Sequence, residues 1–298
     1  MSKNIGFIGI GTMGRGMTEN LLKNDFNVFA YNRTKSKIEE IKHKNLFIVN
    51  TPKEACEKSD VVITCVSNDK ALKNILFSKN GIFKSFSKDK VLIDCGTTSI
   101  ELTKKISDEC ERIGASSLDA PVTGSKIGAE TGTLMFMVGG NKKTVDDCMP
   151  IFNSMGKKVV YCGENTFGQR TKIALNLSLS LLMESYFEGL TLGVANGVPL
   201  EIMLEVFENS GAKTLVGFGK TNKVMSRDFS PHFKLELMDK DLKLAMKEIS
   251  KLKINLPLSK GIKKVFANAM KKGWQNEDFS CIAKLLEENS KIKFEKKS

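Results

Sequence analysis

The chain has 298 residues, of which 41% are hydrophobic and 27% are charged, and its formal net charge is +12 at pH 7. That length allows two domains with separate cores, and the composition is that of a globular protein and excludes a fibrous or wholly disordered chain. The surplus of lysine is spread along the whole chain without aromatic interleaving or a nucleic-acid-binding motif, so we expect no nucleic acid as partner.

Targeting, membrane and metal signals are also missing from the sequence. No apolar run follows a basic N-terminal flank, and no apolar stretch is long enough to cross a bilayer without a charge, so we expect a cytoplasmic protein with no membrane partner. The seven cysteines form no C-x-x-C pair, and their odd number argues against a disulfide framework. The two histidines are too few for a histidine-ligated metal, and we predict no metal site.

The N-terminal segment NIGFIGI predicts a buried parallel strand that leads into the glycine-rich turn GIGTMG. In such a turn the first glycine permits the tight bend, the second lets the backbone approach a pyrophosphate, and the third lets the next helix lie against the strand. We predict that helix from about Thr12 to Lys23, with its amide groups facing the phosphates. The residues predicted to contact the dinucleotide here are Gly9, Gly11, Thr12, Met13 and Gly14.

The end of the second strand, NVFAYN, bears on the choice of cofactor. An NAD site usually carries Asp or Glu there, whereas this chain has Asn32 followed by Arg33 and Thr34. A neutral amide does not repel a 2′-phosphate, and an arginine can bind it with two charge-assisted hydrogen bonds. We therefore predict NADP(H) in preference to NAD(H), with these three residues at the ribose. A plain surface role for Arg33 is the alternative.

Strands and helices keep alternating as far as Gly114, which predicts a doubly wound parallel sheet. The strand SDVVITCV ends at Val66 and Ser67, and the strand DKVLIDCG is followed by Thr97. Ligands bind at this edge of such sheets, so we predict cofactor contacts from these three residues. Thr97 suits a hydrogen bond to a ribose or to the nicotinamide amide, while Thr98 or Ser99 equally suits the cap of the next helix.

The segment DAPVTGS predicts a further strand followed by a helix start at Thr123, Gly124 and Ser125. A hydroxyl and small-residue backbone amides in that position are suited to a carboxylate, so we predict substrate contacts there. An ordinary loop with a serine cap is the alternative.

The segment Phe167–Asn196 predicts one long helix, because it lacks proline and is apolar around much of its circumference. Gly168, Lys172, Asn176 and Ser180 recur every fourth residue and so share one face. A lysine on such a surface must be paired, reach water or transfer protons.

We place a Rossmann-type dinucleotide-binding domain in residues 1–164 and an all-helical domain in residues 165–298, joined by this interdomain helix. In the second domain the segments GVPLEIMLEVFENSGAKT, HFKLELMDKDLKLAMKEISKLK, PLSKGIKKVFANAMKKG and FSCIAKLLEE predict further helices. The terminal segment KIKFEKKS is expected to fray.

Five ordered motifs, GFIGIGTMGRGM, YNRT, DAPVTGSKIGAETGTL, GQRTKIALN and MDKDLKLAM, make the chain resemble the β-hydroxyacid dehydrogenase family over nearly its whole length. This family comprises 3-hydroxyisobutyrate dehydrogenase, tartronate semialdehyde reductase, and the glyoxylate and succinic semialdehyde reductases. GSK in place of the common GG, together with NRT, is more similar to the glyoxylate/succinic semialdehyde reductase branch. Thr123 stands where the family usually has Ser, and its additional methyl is expected to alter substrate affinity.

The resemblance implies that Lys172 is the general acid in carbonyl reduction and the general base in the reverse direction, with Asn176 holding the lysine or the substrate oxygen. It also implies that Lys240 contacts the cofactor near the nicotinamide, that Asp241 lies at the site and that Phe233 lines the substrate pocket. Without the resemblance, Lys240 and Asp241 form a solvated pair and Phe233 is a core residue. Partial burial and a second cation such as Lys240 are expected to lower the pKa of Lys172.

These features predict NADPH-dependent reduction of a small carboxylate-bearing aldehyde, glyoxylate or succinic semialdehyde, to the hydroxyacid. The alternatives are a 3-hydroxyisobutyrate dehydrogenase or a tartronate semialdehyde reductase. A non-catalytic dinucleotide-binding scaffold is an alternative of another class, against which the presence of Lys172 argues. Family members are often dimeric or tetrameric, so we expect a homodimer or homotetramer.

Overall fold

The computed structural model describes residues 4–295. The chain divides into two compact units, Met1–Lys172 and Ile173–Ser298. Within the described residues, no helix combines the length and the apolar character that crossing a membrane requires.

The first unit is built on one sheet. Its strands are β1 (Asn4–Ile8), β2 (Asn27–Tyr31), β3 (Leu46–Ile48), β4 (Val61–Thr64), β5 (Val91–Asp94), β6 (Ser116–Asp119), β7 (Val122–Thr123), β8 (Leu134–Gly139) and β9 (Gly156–Gly163). Within residues 4–295 their order is β3-β2-β1-β4-β5-β6-β8-β7, and β9 pairs with β8. The first six strands of that order are parallel, whereas β6 and β7 run antiparallel to β8. The predicted Rossmann-type sheet is thereby confirmed.

Helices connect most of these strands: α1 (Thr12–Lys23), α2 (Ser36–Glu39), α3 (Pro52–Glu57), α4 (Asp69–Phe77), α5 (Ile100–Arg112), α6 (Ser125–Thr131), α7 (Lys142–Asp147) and α8 (Met149–Met155). Side-chain caps fix several of their starts. The hydroxyl of Ser99 accepts from the backbone N–H of Leu102 at 3.2 Å and caps α5, whereas the hydroxyl of Thr98 donates to Asp94. Of the two residues considered for this cap, Ser99 is therefore the one that the helix uses.

Two hydrophobic layers cover the sheet. Ile5 and Phe7 belong to one layer with Met17 of α1, while Ile8 belongs to the other with Leu72 of α4. This alternation follows from the two-residue period of a strand, which directs successive side chains to opposite faces. Each fully buried side chain of this size stabilises the fold by roughly 1.5–3 kcal/mol, so both faces of the sheet support it.

The second unit is all helical, as predicted. Its helices are α9 (Phe167–Ala195), which begins in the first unit, α10 (Leu200–Glu208), α11 (Leu215–Met225), α12 (Leu235–Leu252), α13 (Ser259–Lys271) and α14 (Ala283–Ser290), with a 3₁₀ turn at Phe279–Ile282. Helix α9 was expected to end at Asn196 and ends one residue earlier. Its residues Met183, Tyr186 and Phe187 form the core of this unit with residues of α12 and α13.

The terminal segment is more ordered than its composition suggests. Phe294 is only 1% exposed, its ring centroid lies 5.5 Å from that of Phe187, and its backbone N–H donates to Glu287 at 2.9 Å. The expectation of fraying is therefore wrong as far as Phe294, because burial of the aromatic ring outweighs the surrounding charge. Residues 296–298, also part of that expectation, lie outside the described residues.

Candidate active site

The glycine turn after β1 has the shape that a dinucleotide requires. Gly9 has φ +108°, and a Cβ there would lie 2.3 Å from the carbonyl oxygen of Cys65. A Cβ on Gly14 would lie 2.0 Å from the carbonyl oxygen of Gly9, whereas a Cβ on Gly11 would meet no atom within 4 Å. The turn is thus closed behind Gly9 and Gly14 and open at Gly11, so these residues fit a pyrophosphate. Thr12 is exposed and Met13 is half-buried at the start of α1.

The carboxamide of Asn32 ties this turn to the end of β2. Its Oδ1 accepts from the backbone N–H of Ile10 at 3.0 Å, and its Nδ2 donates to the carbonyl oxygen of Thr34 at 2.8 Å. Arg33 and Thr34 are exposed beside it, and Arg33 makes no ion pair with any residue of 4–295. The guanidinium is therefore available for an anion.

The predicted contacts after β4 and β5 lie on the same edge of the sheet. Thr64 is in register with Asp94, and Ile8 of β1 is in register with Thr64, so the carboxyl ends of these strands are adjacent. Val66 and Thr97 are half-buried there, and Ser67 is exposed. The structure thus brings these three residues to the edge that also carries the glycine turn.

Sequence reasoning missed two buried residues, Asp119 and Gln169, that fix the first turn of α9 to this edge. Gln169 donates to the carbonyl oxygen of Gly96 at 2.8 Å and accepts from the N–H of Thr98 at 3.2 Å. The carboxylate of Asp119 accepts from the backbone N–H groups of Thr166 and Gln169, both at 2.8 Å. The only feature of the sequence that could have indicated these contacts is the polar side chain of Gln169 in the first turn of an otherwise apolar helix.

Burial raises the pKa of Asp119 to about 6, although its hydrogen bonds from the backbone of Gln169 and Thr166 oppose that shift. Asp119 and Gln169 together position the start of α9 at the ends of β5 and β6. Lys172 follows Gln169 on the same helix, so its backbone position is set by this network.

The polar face predicted on α9 is buried. Lys172 is 7% exposed and Asn176 is 1% exposed, and Ser180 is fully buried. Side chains of this kind are rarely buried unless they are paired or used. The burial of Lys172 is what a proton-transferring lysine requires.

In the second unit, Asn176 and Lys240 both contact Asp241. The Nδ2 group of Asn176 donates to Oδ2 of Asp241 at 2.5 Å, and Nζ of Lys240 lies 2.8 Å from Oδ1 of Asp241. The latter contact is an ion pair without the geometry of a hydrogen bond. Asp241 is buried, so this is not the solvated pair considered as an alternative.

The bond to Asp241 leaves Oδ1 of Asn176 buried and without a hydrogen-bond partner among residues 4–295. An unsatisfied buried acceptor costs about 1–3 kcal/mol. Such a group is retained where a ligand or a catalytic group completes its hydrogen bonds.

Phe233 lies in the loop before α12 and is half-buried at the margin of the second core, so it is only partly the core residue considered as an alternative. Its backbone N–H donates to Asp278 at 3.2 Å, and its ring centroid lies 6.0 Å from that of Phe279 in an edge-on arrangement. These contacts hold the ring in place while leaving part of it uncovered.

The segment Thr123–Ser125 joins the end of β7 to the start of α6 through Gly124 and has a strained backbone. Gly124 has φ +131° and Ser125 has φ +57°, so two successive residues adopt left-handed conformations. Non-glycine residues in this region cluster at ligand sites, where the surrounding structure maintains the strain. The N-cap residue of α6 is Gly124, which has no side chain, so Ser125 is the first residue of the helix and not its cap. Across the described residues, no cluster of three or more His, Cys, Asp or Glu could hold a metal ion.

A glycine turn at the carboxyl edge of a Rossmann-type sheet, followed by an all-helical unit, defines the class of two-domain nicotinamide dinucleotide-dependent dehydrogenases. Residues 4–163 match the NAD binding domain of 6-phosphogluconate dehydrogenase. Residues 167–286 match the family described as the NAD-binding of NADP-dependent 3-hydroxyisobutyrate dehydrogenase.

Individual proteins agree with these matches. The uncharacterized oxidoreductase YkwC of Bacillus subtilis is 32% identical over 96% of this chain and 99% of its own length. Glyoxylate/succinic semialdehyde reductase 1 of Arabidopsis thaliana is 29% identical over 93% of this chain and 96% of its own. The solved structure of Mycobacterium tuberculosis 3-hydroxyisobutyrate dehydrogenase with L-serine has 25% identity and a TM-score of 0.85, covering 96% of this chain and 99% of that one.

The chain belongs to the β-hydroxyacid dehydrogenase family. It is accordingly an NAD(P)-dependent hydroxyacid dehydrogenase, and it binds a nicotinamide dinucleotide.

Proposed function

We propose that this enzyme reduces small aldehydes that carry a carboxylate, glyoxylate or succinic semialdehyde, to the corresponding hydroxyacids with NADPH. The observation that carries the proposal is the buried ammonium of Lys172, on the same helix as the unsatisfied amide oxygen of Asn176. Both groups favour catalysis over a dinucleotide-binding scaffold without chemistry.

When bound, a reduced nicotinamide would supply a hydride to the carbonyl carbon. As that bond forms, the carbonyl electron pair moves to oxygen, and the ammonium of Lys172 stabilises the alkoxide and gives it a proton. Lys172 is left as a neutral amine, which in the reverse direction takes the proton of the hydroxyl group. Asn176 has one acceptor available, which suits the Lys172 ammonium or the product hydroxyl, while Asp241 fixes the amide orientation.

The remaining substrate contacts follow from charge and shape. The hydroxyl of Thr123 and the backbone amides of Gly124 and Ser125 are proposed to bind the carboxylate, and Phe233 to limit the length of the substrate.

The preference for NADPH is proposed from the second strand. Asn32 places no negative charge at the ribose, and the exposed Arg33 is available for a 2′-phosphate. Thr12, Val66, Ser67 and Thr97 are proposed to line the cofactor, and Lys240 to lie near the nicotinamide.

A second candidate is oxidation of 3-hydroxyisobutyrate or reduction of tartronate semialdehyde. Similarity to the probable 3-hydroxyisobutyrate dehydrogenase of Dictyostelium discoideum, which is 30% identical over 97% of this chain, favours it. Both candidates need the same proton transfer, so they differ in the pocket and not in the chemistry.

The test is a panel of kcat/KM values. Glyoxylate, succinic semialdehyde and tartronate semialdehyde are measured with NADPH and NADH, and 3-hydroxyisobutyrate with NADP⁺ and NAD⁺. We expect kcat/KM to be at least about tenfold higher for glyoxylate or succinic semialdehyde with NADPH than for the other pairs. A higher value for tartronate semialdehyde, for 3-hydroxyisobutyrate or with the non-phosphorylated cofactor contradicts the proposed substrate or cofactor, and no turnover with any pair contradicts both candidate functions.

A further inference from the structure

A buried carboxyl group in the second unit has no role in the proposed reaction. Glu184 lies on α9 and is 8% exposed. Its Oε2 atom is buried and has no hydrogen-bond partner within residues 4–295. Buried carboxyl groups are normally hydrogen-bonded or paired with a cation, so this one lacks the partner that its position calls for.

Glu184 lines a cavity of about 430 Å³ that is formed by α9, α13 and α14 and is half open to solvent. The cavity is large enough for a small organic molecule. Its other lining residues are Val265, Asn268, Lys271, Lys272, Leu285, Leu286, Glu288 and Asn289. The wall is therefore partly apolar, with two amides and several charges around it.

The charged groups around the cavity are already partly matched. Nζ of Lys272 lies 2.7 Å from Oε2 of Glu288, so these two charges compensate each other at the rim. Lys271 is exposed at the end of α13, and Glu188 on α9 repels negative charge on Glu184. The uncompensated group inside is thus the carboxyl of Glu184.

This arrangement selects the charge of a ligand. An anion would meet the carboxylate and would be repelled, and a neutral apolar molecule would leave the carboxyl group without a partner. A cation with N–H groups satisfies the carboxyl and replaces the water that burial removes.

We propose that this cavity binds a small organic cation, a primary ammonium or a guanidinium, that donates to the part of the Glu184 carboxylate that lines the cavity. Its alkyl portion packs on Val265, Leu285 and Leu286. The amide oxygens of Asn268 and Asn289 are further acceptors at the rim.

The site has a pH dependence of known sign. Burial, and in second place the charge of Glu188, raise the pKa of Glu184 to about 7, so the group is largely protonated below that pH. The cation binds the carboxylate form and therefore displaces a proton. Affinity is expected to increase with pH, by about tenfold between pH ~6 and pH ~8.

The test is calorimetric titration of the full-length protein with n-butylammonium, with n-butyrate and n-butanol as matched probes of the same length. Saturable binding of n-butylammonium is expected, together with the increase in affinity at higher pH. Glu184→Gln keeps the shape of the side chain and removes its charge, so we expect it to weaken binding by at least about tenfold. Glu205→Gln, at an exposed glutamate of α10, is expected to bind like the unmodified protein.

A second variant tests the cavity from another wall. Asn268 is exposed at the rim, so Asn268→Phe blocks the opening without touching the carboxyl and is expected to abolish binding. The proposal is overturned if n-butylammonium does not bind, if Glu184→Gln binds it equally well, or if n-butyrate binds as tightly. If a side chain from a second copy of this chain fills the cavity, n-butylammonium will not bind. Because binding is read without turnover, a failure here leaves the proposed reaction untouched.

Discussion

At the scale of single residues, Asn32 is held by two hydrogen bonds within the protein. Its carboxamide accepts from Ile10 and donates to Thr34 at the same time. An aspartate could accept the first bond but could not donate the second. The side chain of Asn32 is thus engaged with the protein itself, and in the proposed function Arg33 is the residue that binds the ribose substituent.

Replacement of Arg33 by alanine tests this division of roles. Loss of a charge-assisted contact to a 2′-phosphate is expected to raise KM for NADPH by about 10- to 100-fold while leaving KM for NADH nearly unchanged. Initial rates with each cofactor measure both values. Arg112→Ala is the control, because Arg112 is exposed and paired with Glu109 on α5. If Arg33→Ala raises KM for NADPH and KM for NADH equally, the proposal that Arg33 makes the enzyme prefer NADPH is contradicted.

At the scale of elements, α1 and α6 approach so closely that their contact has no room for a side chain. A Cβ on Gly16 would lie 2.5 Å from the backbone of Ala129. Asn20 on α1 adds a hydrogen bond of 2.7 Å to the carbonyl oxygen of Ala129. Because α6 begins at Ser125, this contact also positions the loop proposed to bind the carboxylate.

Gly16→Ala is therefore expected to push α6 away from α1. We expect the free energy of unfolding to fall by about 1–3 kcal/mol and KM for glyoxylate to rise. Urea denaturation and steady-state kinetics measure the two effects. Gly11→Ala is the matched variant: its Cβ meets nothing within 4 Å, so stability is retained and NADPH affinity falls. Unchanged stability in Gly16→Ala would show that the two helices can separate freely.

The sequence predicts elements well where one local rule dominates. The start of α9 at Phe167 and the bounds of α1 at Thr12 and Lys23 follow from an unbroken apolar pattern and from a glycine turn. The contacts of Asp119 and Gln169 were not predictable, since they join residues far apart in the chain and depend on how β5, β6 and α9 pack. The burial of Glu184 was not predictable for another reason. Because α9 is apolar around much of its circumference, the sequence pattern does not indicate which side of the helix is buried.

At the scale of the whole molecule, Glu184 makes stability depend on pH. Its pKa of about 7 in the folded state exceeds the ordinary value of 4.5, so the folded protein holds a proton that the unfolded chain releases. Stability is therefore highest below the ordinary pKa and falls as pH rises towards the folded value, by at most about 3 kcal/mol. Glu184→Gln should lose this part of the pH dependence and be more stable than the unmodified protein at pH ~8.

Urea unfolding of both proteins at several pH values measures this difference. Asp119 also makes the free energy of unfolding fall with rising pH, but in a lower pH range, since burial raises its pKa from 3.8 to about 6. The contribution of Glu184 is therefore the difference in the free energy of unfolding between the unmodified protein and Glu184→Gln at each pH. Parallel curves would mean that Glu184 is ionised in the folded protein without penalty.

Proton transfer by Lys172 is tested most directly by Lys172→Met, which keeps an apolar stem and removes the ammonium. The measurement is the single-turnover rate of NADPH oxidation by glyoxylate, or by whichever aldehyde of the panel is turned over fastest, with the Kd of NADPH determined on the same variant. We expect the rate to fall by about 10²–10⁴-fold while the Kd changes by less than about twofold. A variant that oxidises NADPH at the unmodified rate would contradict the assignment of Lys172 as the proton donor.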